Sequence, residues 1–129
     1  MRALTAPRFE AVPPAAGPRI QGFSGRGFVV DGTRRDALLL TPEAALDWDP
    51  PALAALAPAD VEPLLALDPA PEFILLGTGA AMAFPPGAFT AALEARGIGV
   101  EAMDSRAAAR TWGLLRGEGR WIAAALMSL

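Results

Sequence analysis

Residues 73–98, FILLGTGAAMAFPPGAFTAALEARGI, constrain the fold more than any other stretch of the chain. They begin with a continuous apolar run of the kind found in strands that are buried on both faces. The run stops at Gly77-Thr78-Gly79, and the apolar residues of 87–96 then recur at helical spacing. Gly97 follows, as expected of a residue that ends a helix with positive φ. This stretch therefore predicts a strand, a sharp turn and a short helix.

The same pattern is repeated up to the end of the chain. A second strand is predicted at 99–103, and a third, apolar on both faces, at 120–127. Between them lies a second helix, capped by Asp104 or Ser105 and running to Arg116. Strands that alternate with helices and are buried on both faces imply parallel pairing with right-handed crossovers.

An earlier segment has the pattern of a β-hairpin. Two apolar runs, Phe28–Val30 and Ala37–Leu40, flank Asp31-Gly32, a dipeptide that readily adopts positive φ in a tight turn. The hairpin must either extend the sheet or cover one side of it. The predicted fold class is α/β: a single domain, mixed sheet with a C-terminal parallel βαβαβ unit plus an N-terminal β-hairpin.

The chain is long enough for one hydrophobic core, and we place the domain at 20–129. Residues 1–19 contain four prolines and little periodicity, so they are predicted to form an extended or disordered arm. The longest apolar run, Trp121–Met127, is far shorter than the roughly 20 residues of a membrane span. The start of the chain has no apolar core of a signal peptide. We expect no membrane insertion and a cytoplasmic location.

Five residue types are missing from the chain, which has no Cys, His, Lys, Tyr or Asn. Thiol catalysis, Ser-His catalysis and zinc sites built on Cys or His are therefore excluded, as are Schiff bases and P-loops. Acid–base chemistry would have to rest on carboxylates, because Arg keeps its proton. We expect no cofactor, no metal and no catalytic residue.

The charges are distributed unevenly along the chain. Residues 36–72 contain eight acidic residues and no basic one, whereas residues 1–35 contain six arginines and two acidic residues. A strongly acidic segment argues against nucleic acid as a partner. It is either a solvated face or a docking surface for a basic partner.

Gly77-Thr78-Gly79 after a strand invites a comparison with dinucleotide-binding loops. The third glycine of that fingerprint would fall at position 82, which is Met82, and the helix begins only after Pro85-Pro86. We therefore reject a dinucleotide site. Two interpretations stay open, namely a turn that needs glycine for steric reasons and an anion held by the exposed amides of the turn.

The second predicted helix has an apolar arc and a basic side. Arg106 and Arg110 lie one turn apart and repel each other unless something negative is near. Glu101 lies within a predicted strand and needs a partner, either Arg110 or Arg120, unless it faces a solvated cleft. The alternative is a polar ligand site near the strand ends. That site would be lined by Glu101, Asp104, Arg110, Glu118 and Arg120. The arc consists of Ala107, Ala108, Thr111, Trp112, Leu114 and Leu115.

Several of these motifs, in this order, resemble one family. They are IQGFSGRGFVVDGTRRDALLLTP, ILLGTG, the following P-P, ARGIGVEAMDSRAAARTWGLL and EGRWIAAAL, and they span residues 20–127. The chain is similar to a family of small α/β proteins of unknown function, the Mth938-like domains. Members of that family include a mitochondrial respiratory complex I assembly factor. Where relatives often read A-C-R-T-Y-N, this sequence reads AARTWG at 108–113, so Arg110 and Thr111 carry over.

The resemblance implies a compact α/β domain with a mixed sheet that acts through protein contacts rather than catalysis. Our first functional hypothesis is accordingly a non-enzymatic protein-interaction domain, an assembly factor for a membrane or respiratory complex. The alternative is a bacterial small-molecule binding protein or enzyme. It would bind an anionic metabolite through the carboxylate and arginine cluster. Homo-oligomerisation through the apolar hairpin or an exposed Trp is a third hypothesis.

Overall fold

The computed structural model describes residues 16–129, which form two β-sheets and three α-helices. Residues 1–15 of the predicted N-terminal arm lie outside the described residues. The strands are β1 (Ile20–Ser24), β2 (Gly27–Val30), β3 (Thr33–Arg35), β4 (Leu38–Leu40), β5 (Ala45–Asp47), β6 (Phe73–Gly77), β7 (Gly99–Met103) and β8 (Ala123–Leu126). The helices are α1 (Glu62–Leu65), α2 (Gly87–Glu94) and α3 (Ser105–Gly117), and 3-10 turns lie at Leu53–Ala55 and Pro58–Val61.

The larger sheet is mixed and has the strand order β5-β4-β8-β6-β7. Strand β6 pairs in parallel with both β7 and β8, whereas β4 pairs antiparallel with β8 and β5. The predicted mixed sheet with a C-terminal parallel βαβαβ unit is therefore confirmed. The chain moves outward from β6 to β7 and then back across β6 to β8. Two crossovers of the same hand must then lie on opposite faces, and α2 and α3 do so.

The core consists of two layers of side chains, one on each face of this sheet. Along β8, Ala123 and Ala125 belong to the layer under α1 and α2, whereas Ala124 and Leu126 belong to the layer under α3. All four are fully buried, as predicted for this segment. The small alanine side chains at the centre of the sheet leave room for the large, fully buried Trp112 of α3.

The N-terminal hairpin is confirmed, but its second strand differs from the prediction. Asp31 and Gly32 both have positive φ, of 48° and 83°, as a two-residue hairpin turn requires. The turn joins β2 to the polar strand β3, and the predicted arm Ala37–Leu40 instead supplies β4 of the larger sheet. The physical reason is burial, because all three leucines of β4 are at most 3% exposed and need cover on both faces.

The smaller sheet has the strand order β1-β2-β3 and packs on the α3 side of the molecule. Phe28 and Val30 of β2 anchor it in the core layer under α3. The backbone of Arg26, in the turn between β1 and β2, accepts a hydrogen bond from the Leu129 amide at 2.8 Å. Strand β1 is an edge strand of this sheet, and its Phe23 contacts Arg106 of α3.

After β5, the rest of the acidic segment 36–72 covers the opposite layer. The indole Nε1 of Trp48 donates to the Asp60 carbonyl oxygen at 2.8 Å, which closes the edge of that layer. Seven of the eight acidic residues of this segment are exposed, and Asp60 is half-buried. Among the described residues, no helix is sufficiently long and apolar to cross a membrane.

Candidate functional site

The Gly77-Thr78-Gly79 turn lies where β6 ends and is bonded to the residues around it. The Thr78 amide donates to the Met103 carbonyl oxygen at 2.9 Å, and the Gly79 amide donates to the Ser105 hydroxyl at 2.8 Å. The Gly79 carbonyl oxygen in turn accepts from the Ser105 amide at 2.8 Å. Both of these amides already donate to protein oxygens, which favours the steric interpretation of the turn over an anion site.

Ser105 is the residue that holds this junction together. Its side chain is fully buried, and its hydroxyl donates to the Met127 carbonyl oxygen at 2.7 Å while accepting from Gly79. A Cβ on Gly77 would lie 2.7 Å from the same hydroxyl oxygen, so glycine is required there for steric reasons. Sequence reasoning considered Ser105 only as a helix cap. The cap is Asp104, whose carboxylate accepts from the Ala107 amide at 2.9 Å.

The Ser105 hydrogen bonds occupy the place where open α/β sheets commonly bind ligands. Such ligands lie outside the carboxyl ends of the strands, at the point where the chain turns from one side of the sheet to the other. Here that point lies between the ends of β6 and β8. The Met127 amide donates to the Gly77 carbonyl oxygen at 3.0 Å, and the Ser105 hydroxyl closes the remaining gap. The crevice is filled by the protein itself.

The predicted ion pair of Glu101 with Arg110 or Arg120 is not formed, and Glu101 faces solvent instead. It lies on β7, which is one of the two edge strands of the larger sheet. The structure shows no ion pair for it within residues 16–129. The strand order explains the correction, because a carboxylate on an outer strand stays hydrated without a partner.

Arg120 pairs with Glu72 rather than with Glu101. Its Nη2 lies 2.8 Å and its Nε 3.1 Å from Oε1 of Glu72, and its guanidinium lies 5.8 Å from the centre of the Phe73 ring. The hydrogen bond from Arg120 lowers the pKa of the Glu72 carboxyl group. The hydrogen bond to Glu72 likewise raises the pKa of Arg120. This is an exposed ion pair at the end of the sheet opposite the Gly77 turn.

The predicted polar cluster is therefore divided among separate places. Gly77, Thr78, Gly79 and Asp104 come together at the start of α3. Arg120 and the exposed Glu118 lie beyond its other end, and a helix of 13 residues is about 20 Å long. Glu101 stands on the outer strand, and Arg110 is exposed midway along α3. Of these residues, Arg110 alone lines either of the two cavities described below.

Arg110 lies on a groove that sequence reasoning missed. We call it the β1–α3 groove, because it runs between these two elements and has a volume of about 490 Å³. A smaller cavity of about 270 Å³ continues it toward the end of α3. The main groove is lined by Ile20, Gln21, Gly22, Phe23, Ala109, Arg110, Gly113 and Leu114. The continuation is lined by Ala16, Pro18, Arg19, Ile20, Trp112, Gly113, Arg116 and Gly117.

The groove has an apolar floor and a basic rim. Leu114, which the sequence placed in the buried arc of α3, is instead 66% exposed, and Phe23 is 39% exposed. The Arg106 guanidinium lies 5.3 Å from the centre of the Phe23 ring, a cation–π contact across one end of the groove. The sequence signal was weak, because Phe23 stands among glycines and gives no strand pattern.

A second exposed apolar surface is the loop after the Gly77 turn, residues 80–86. Phe84 is 83% exposed and Met82 is 45% exposed. The loop is nevertheless held in place by the Thr78 hydroxyl. That hydroxyl oxygen lies 2.8 Å from the Ala81 carbonyl oxygen, to which it donates, and it accepts from the Ala83 amide at 3.1 Å. The phenyl ring is thus presented to solvent by a hydrogen-bonded loop.

Comparison with known proteins assigns the family. The family model described as Protein of unknown function (DUF498/DUF598) matches residues 20–127 of the chain. The chain belongs to this family. The DUF498 match begins at the first residue of β1 and ends one residue after β8, so it covers both sheets and all three helices.

Two kinds of DUF498 relatives are similar to the chain in sequence. An uncharacterised protein of Rhodobacter capsulatus is 33% identical over 122 residues, which cover 87% of this chain and 93% of that protein. A zebrafish (Danio rerio) protein named NADH dehydrogenase [ubiquinone] 1 alpha subcomplex assembly factor 3 is 32% identical over 88% of this chain. The chain spans 66% of the length of that assembly factor, and 59% of its bovine (Bos taurus) counterpart.

Solved structures share the fold of this DUF498 domain. A crystal structure of a protein from Bordetella parapertussis has a TM-score of 0.80 and 30% identity, covering 91% of this chain and all of that one. A solution structure from Bordetella pertussis, described as a Mth938-like domain, has a TM-score of 0.73 and 25% identity, covering 98% and 92% of the two chains. The predicted resemblance to the Mth938-like domains is confirmed.

Proposed function

We propose that this chain is a non-enzymatic protein-interaction domain that assists the assembly of a respiratory membrane complex. The observation that carries the proposal is the 80–86 loop. Phe84 of this loop is exposed, and the Thr78 hydroxyl forms hydrogen bonds with the loop backbone. Similarity to the assembly factors of zebrafish and cattle supports the same role. The proposal concerns this domain, since those proteins are longer than the chain.

The exposed ring is suited to a partner that offers an apolar pocket. A large exposed aromatic side chain on an ordered loop is the kind of anchor around which protein interfaces are built. Burying such a side chain contributes about 1.5–3 kcal/mol, which corresponds to roughly 10- to 150-fold in affinity. Because the loop is already hydrogen-bonded, binding would lose little additional loop entropy.

The filled crevice at the ends of β6 and β8 supports an interaction role from another direction. Ser105 and Gly77 fill this position, and their contacts hold the ends of the two strands together. The remaining exposed apolar features lie on the outer surface of the molecule, where a partner has access to them. Both observations favour a function carried by surface contacts.

The test is genetic complementation in the organism that encodes the chain. Deleting the gene should lower the amount of assembled NADH:ubiquinone oxidoreductase on native gels, and the wild-type gene should restore it. Phe84→Ser should restore little, because the anchor is lost while the fold is kept. Leu46→Ser, which removes another exposed apolar side chain on β5, is the matched control and should restore assembly.

Two results would overturn the proposal. One is a deletion strain with the normal amount of assembled complex. The other is full restoration by Phe84→Ser at a protein level equal to that of the wild type. A photo-crosslinking residue placed at position 84 gives an independent readout, since it should join the domain to a subunit or another assembly protein of the complex.

A further inference from the structure

We propose that the β1–α3 groove binds an extended acidic segment of a partner protein, which adds to the outer edge of β1 as a further strand. Four consecutive residues of β1, from Ile20 to Phe23, line the groove, so it follows the strand along its length. The occupant is thus expected to run beside β1, with its side chains directed alternately toward α3 and toward solvent. This surface is distinct from the 80–86 loop, and the inference does not depend on the proposed function.

The first argument is the hydrogen-bonding capacity of the strand. Within the described part of the chain β1 pairs only with β2, because the smaller sheet has the order β1-β2-β3. The pairing of β1 with β2 has a bulge between Ile20 and Gly22. Beyond the bulge, from Gly22 to Ser24, alternate residues of this antiparallel pair turn their N–H and C=O groups away from β2. An outer strand of this kind is a template for an added strand. A peptide seated in the groove would meet those groups.

The second argument is charge. Arg19, Arg110 and Arg116 line the groove and its continuation, and Arg106 stands at one end above Phe23. Within residues 16–129, the three ion pairs of the structure involve none of these four arginines. Arg116 already donates to the carbonyl oxygens of Ala16 and Arg120, so the charge offered to a ligand comes mainly from Arg19 and Arg110. A segment that carries carboxylates would supply the missing negative charge, and an arginine fork binds a carboxylate through two parallel hydrogen bonds.

The third argument is the space that Gly113 leaves open. Glycine is the weakest helix former apart from proline, yet Gly113 lies in the interior of α3 on its exposed side. A Cβ at this position would meet nothing within 4 Å, so no packing constraint requires the glycine. Gly113 lines both the groove and its continuation. Its missing side chain keeps the two connected, which gives an extended chain a continuous path.

The fourth argument is the apolar floor, which sets the pattern of the partner. The floor includes Phe23 of β1 and Leu114 of α3, which remain exposed, at 39% and 66%. A strand that alternates apolar and acidic residues would place apolar side chains on this floor and carboxylates beside the rim. The chemistry of the occupant is therefore an extended peptide with alternating apolar and acidic residues.

The test begins with a display library of random dodecapeptides panned against the whole chain. The expected consensus has carboxylates alternating with apolar residues. The best selected peptide is then titrated into isotopically labelled protein, and its affinity and the affected backbone amides are measured by NMR. Amide shifts should concentrate in Ile20–Ser24 and along the exposed side of α3.

Three variants make the result decisive. Gly113→Leu fills the groove and improves the helix, so it should keep or raise Tm while weakening peptide binding at least tenfold. Arg110→Glu reverses the charge of the rim and should weaken binding by a similar factor. Arg96→Glu, an equal charge reversal at an exposed position after α2, should bind like the wild type.

The proposal fails if no acidic consensus emerges, if the peptide binds Gly113→Leu as it binds the wild type, or if the shifts lie outside β1 and α3. Inorganic phosphate and citrate are titrated in parallel. If phosphate and citrate displace the peptide and cause the same amide shifts, the site is a general anion site and the strand-addition proposal is wrong. Phe84→Ser should bind the peptide normally, so failure here is distinguishable from failure of the proposed function.

Discussion

Replacing Ser105 with alanine should destabilise the domain far more than the loss of one hydroxyl group at the surface would. The Ser105 side chain is fully buried and bonds two different segments of the chain. Its hydroxyl donates to the Met127 carbonyl oxygen after β8 and accepts from the Gly79 amide after β6. The variant would leave both backbone groups without these partners.

The two losses differ in size because the two groups differ in burial. The bond to the Met127 carbonyl oxygen is buried, so leaving that oxygen unpaired costs about 1–3 kcal/mol. The Gly79 amide is partly exposed and recovers some solvation, so its loss is about 0.5–1.5 kcal/mol. Alanine regains a few tenths of a kcal/mol through its helix propensity. The free energy of unfolding should therefore fall by about 1–4 kcal/mol, with a decrease in Tm of roughly 5–15 °C.

The measurement is urea unfolding followed by circular dichroism, together with a thermal scan. Ser24→Ala is the matched control, because Ser24 is exposed on β1 and its substitution should stay within about 0.5 kcal/mol of the wild type. If Ser105→Ala also stays within that range, the two hydrogen bonds do not hold the strand ends together. The reasoning about the filled crevice would then be refuted as well.

Two further predictions concern the same sheet. Gly77→Ala should lower the free energy of unfolding by about 1–3 kcal/mol through overpacking, because its Cβ would lie 2.7 Å from the Ser105 hydroxyl oxygen. Gly87→Ala is the control and should not lower it, because a Cβ there meets open space. Equal Tm values for the two variants would contradict the steric argument. The lowered pKa of Glu72 means that its pairing with Arg120 stabilises the fold above the unfolded-state pKa, about 4.3, and that this stabilisation is lost as the pH falls through the folded-state pKa. The Tm difference between wild type and Glu72→Gln should accordingly shrink between about pH 6 and pH 3, and a difference that grows on acidification would show the sign to be wrong.

The parallel unit was predictable because its signals are local. The strand at 73–77 is apolar on both faces, α3 begins at the capping residue Asp104, and Gly97 has the positive φ of 79° expected after a helix. Each signal depends on a few neighbouring residues and on the backbone geometry that they favour. None of them requires knowledge of what lies across the sheet.

The hairpin shows where local reasoning stops. Asp31-Gly32 correctly predicted a tight turn, but the apolar run after it joined the other sheet. A short polar segment, Thr33–Arg35, pairs with β2 instead. An apolar run is most stable where the fold buries it completely. That place is not always beside the strand that is nearest in sequence.

The candidate site was even less predictable, since a site depends on strand order and on helix orientation. The sequence singled out Arg110 but joined it to Glu101 and Arg120, which lie elsewhere. It missed Phe23 and the open position at Gly113, because a groove between a strand and a helix leaves no periodic pattern in either. The DUF498 fold brings these residues together from β1 and α3, which are far apart in the chain.

By itself, the sequence determined the α/β class, the parallel βαβαβ unit and the family. Only the tertiary structure decided that β7 is an edge strand, that Ser105 fills the crevice beyond β6 and β8, and that Phe84 faces solvent. The physical reason is the distance along the chain over which each kind of interaction acts. Capping, turn formation and strand patterning act over a few residues, whereas burial and ion pairing depend on contacts between segments that are distant in the chain.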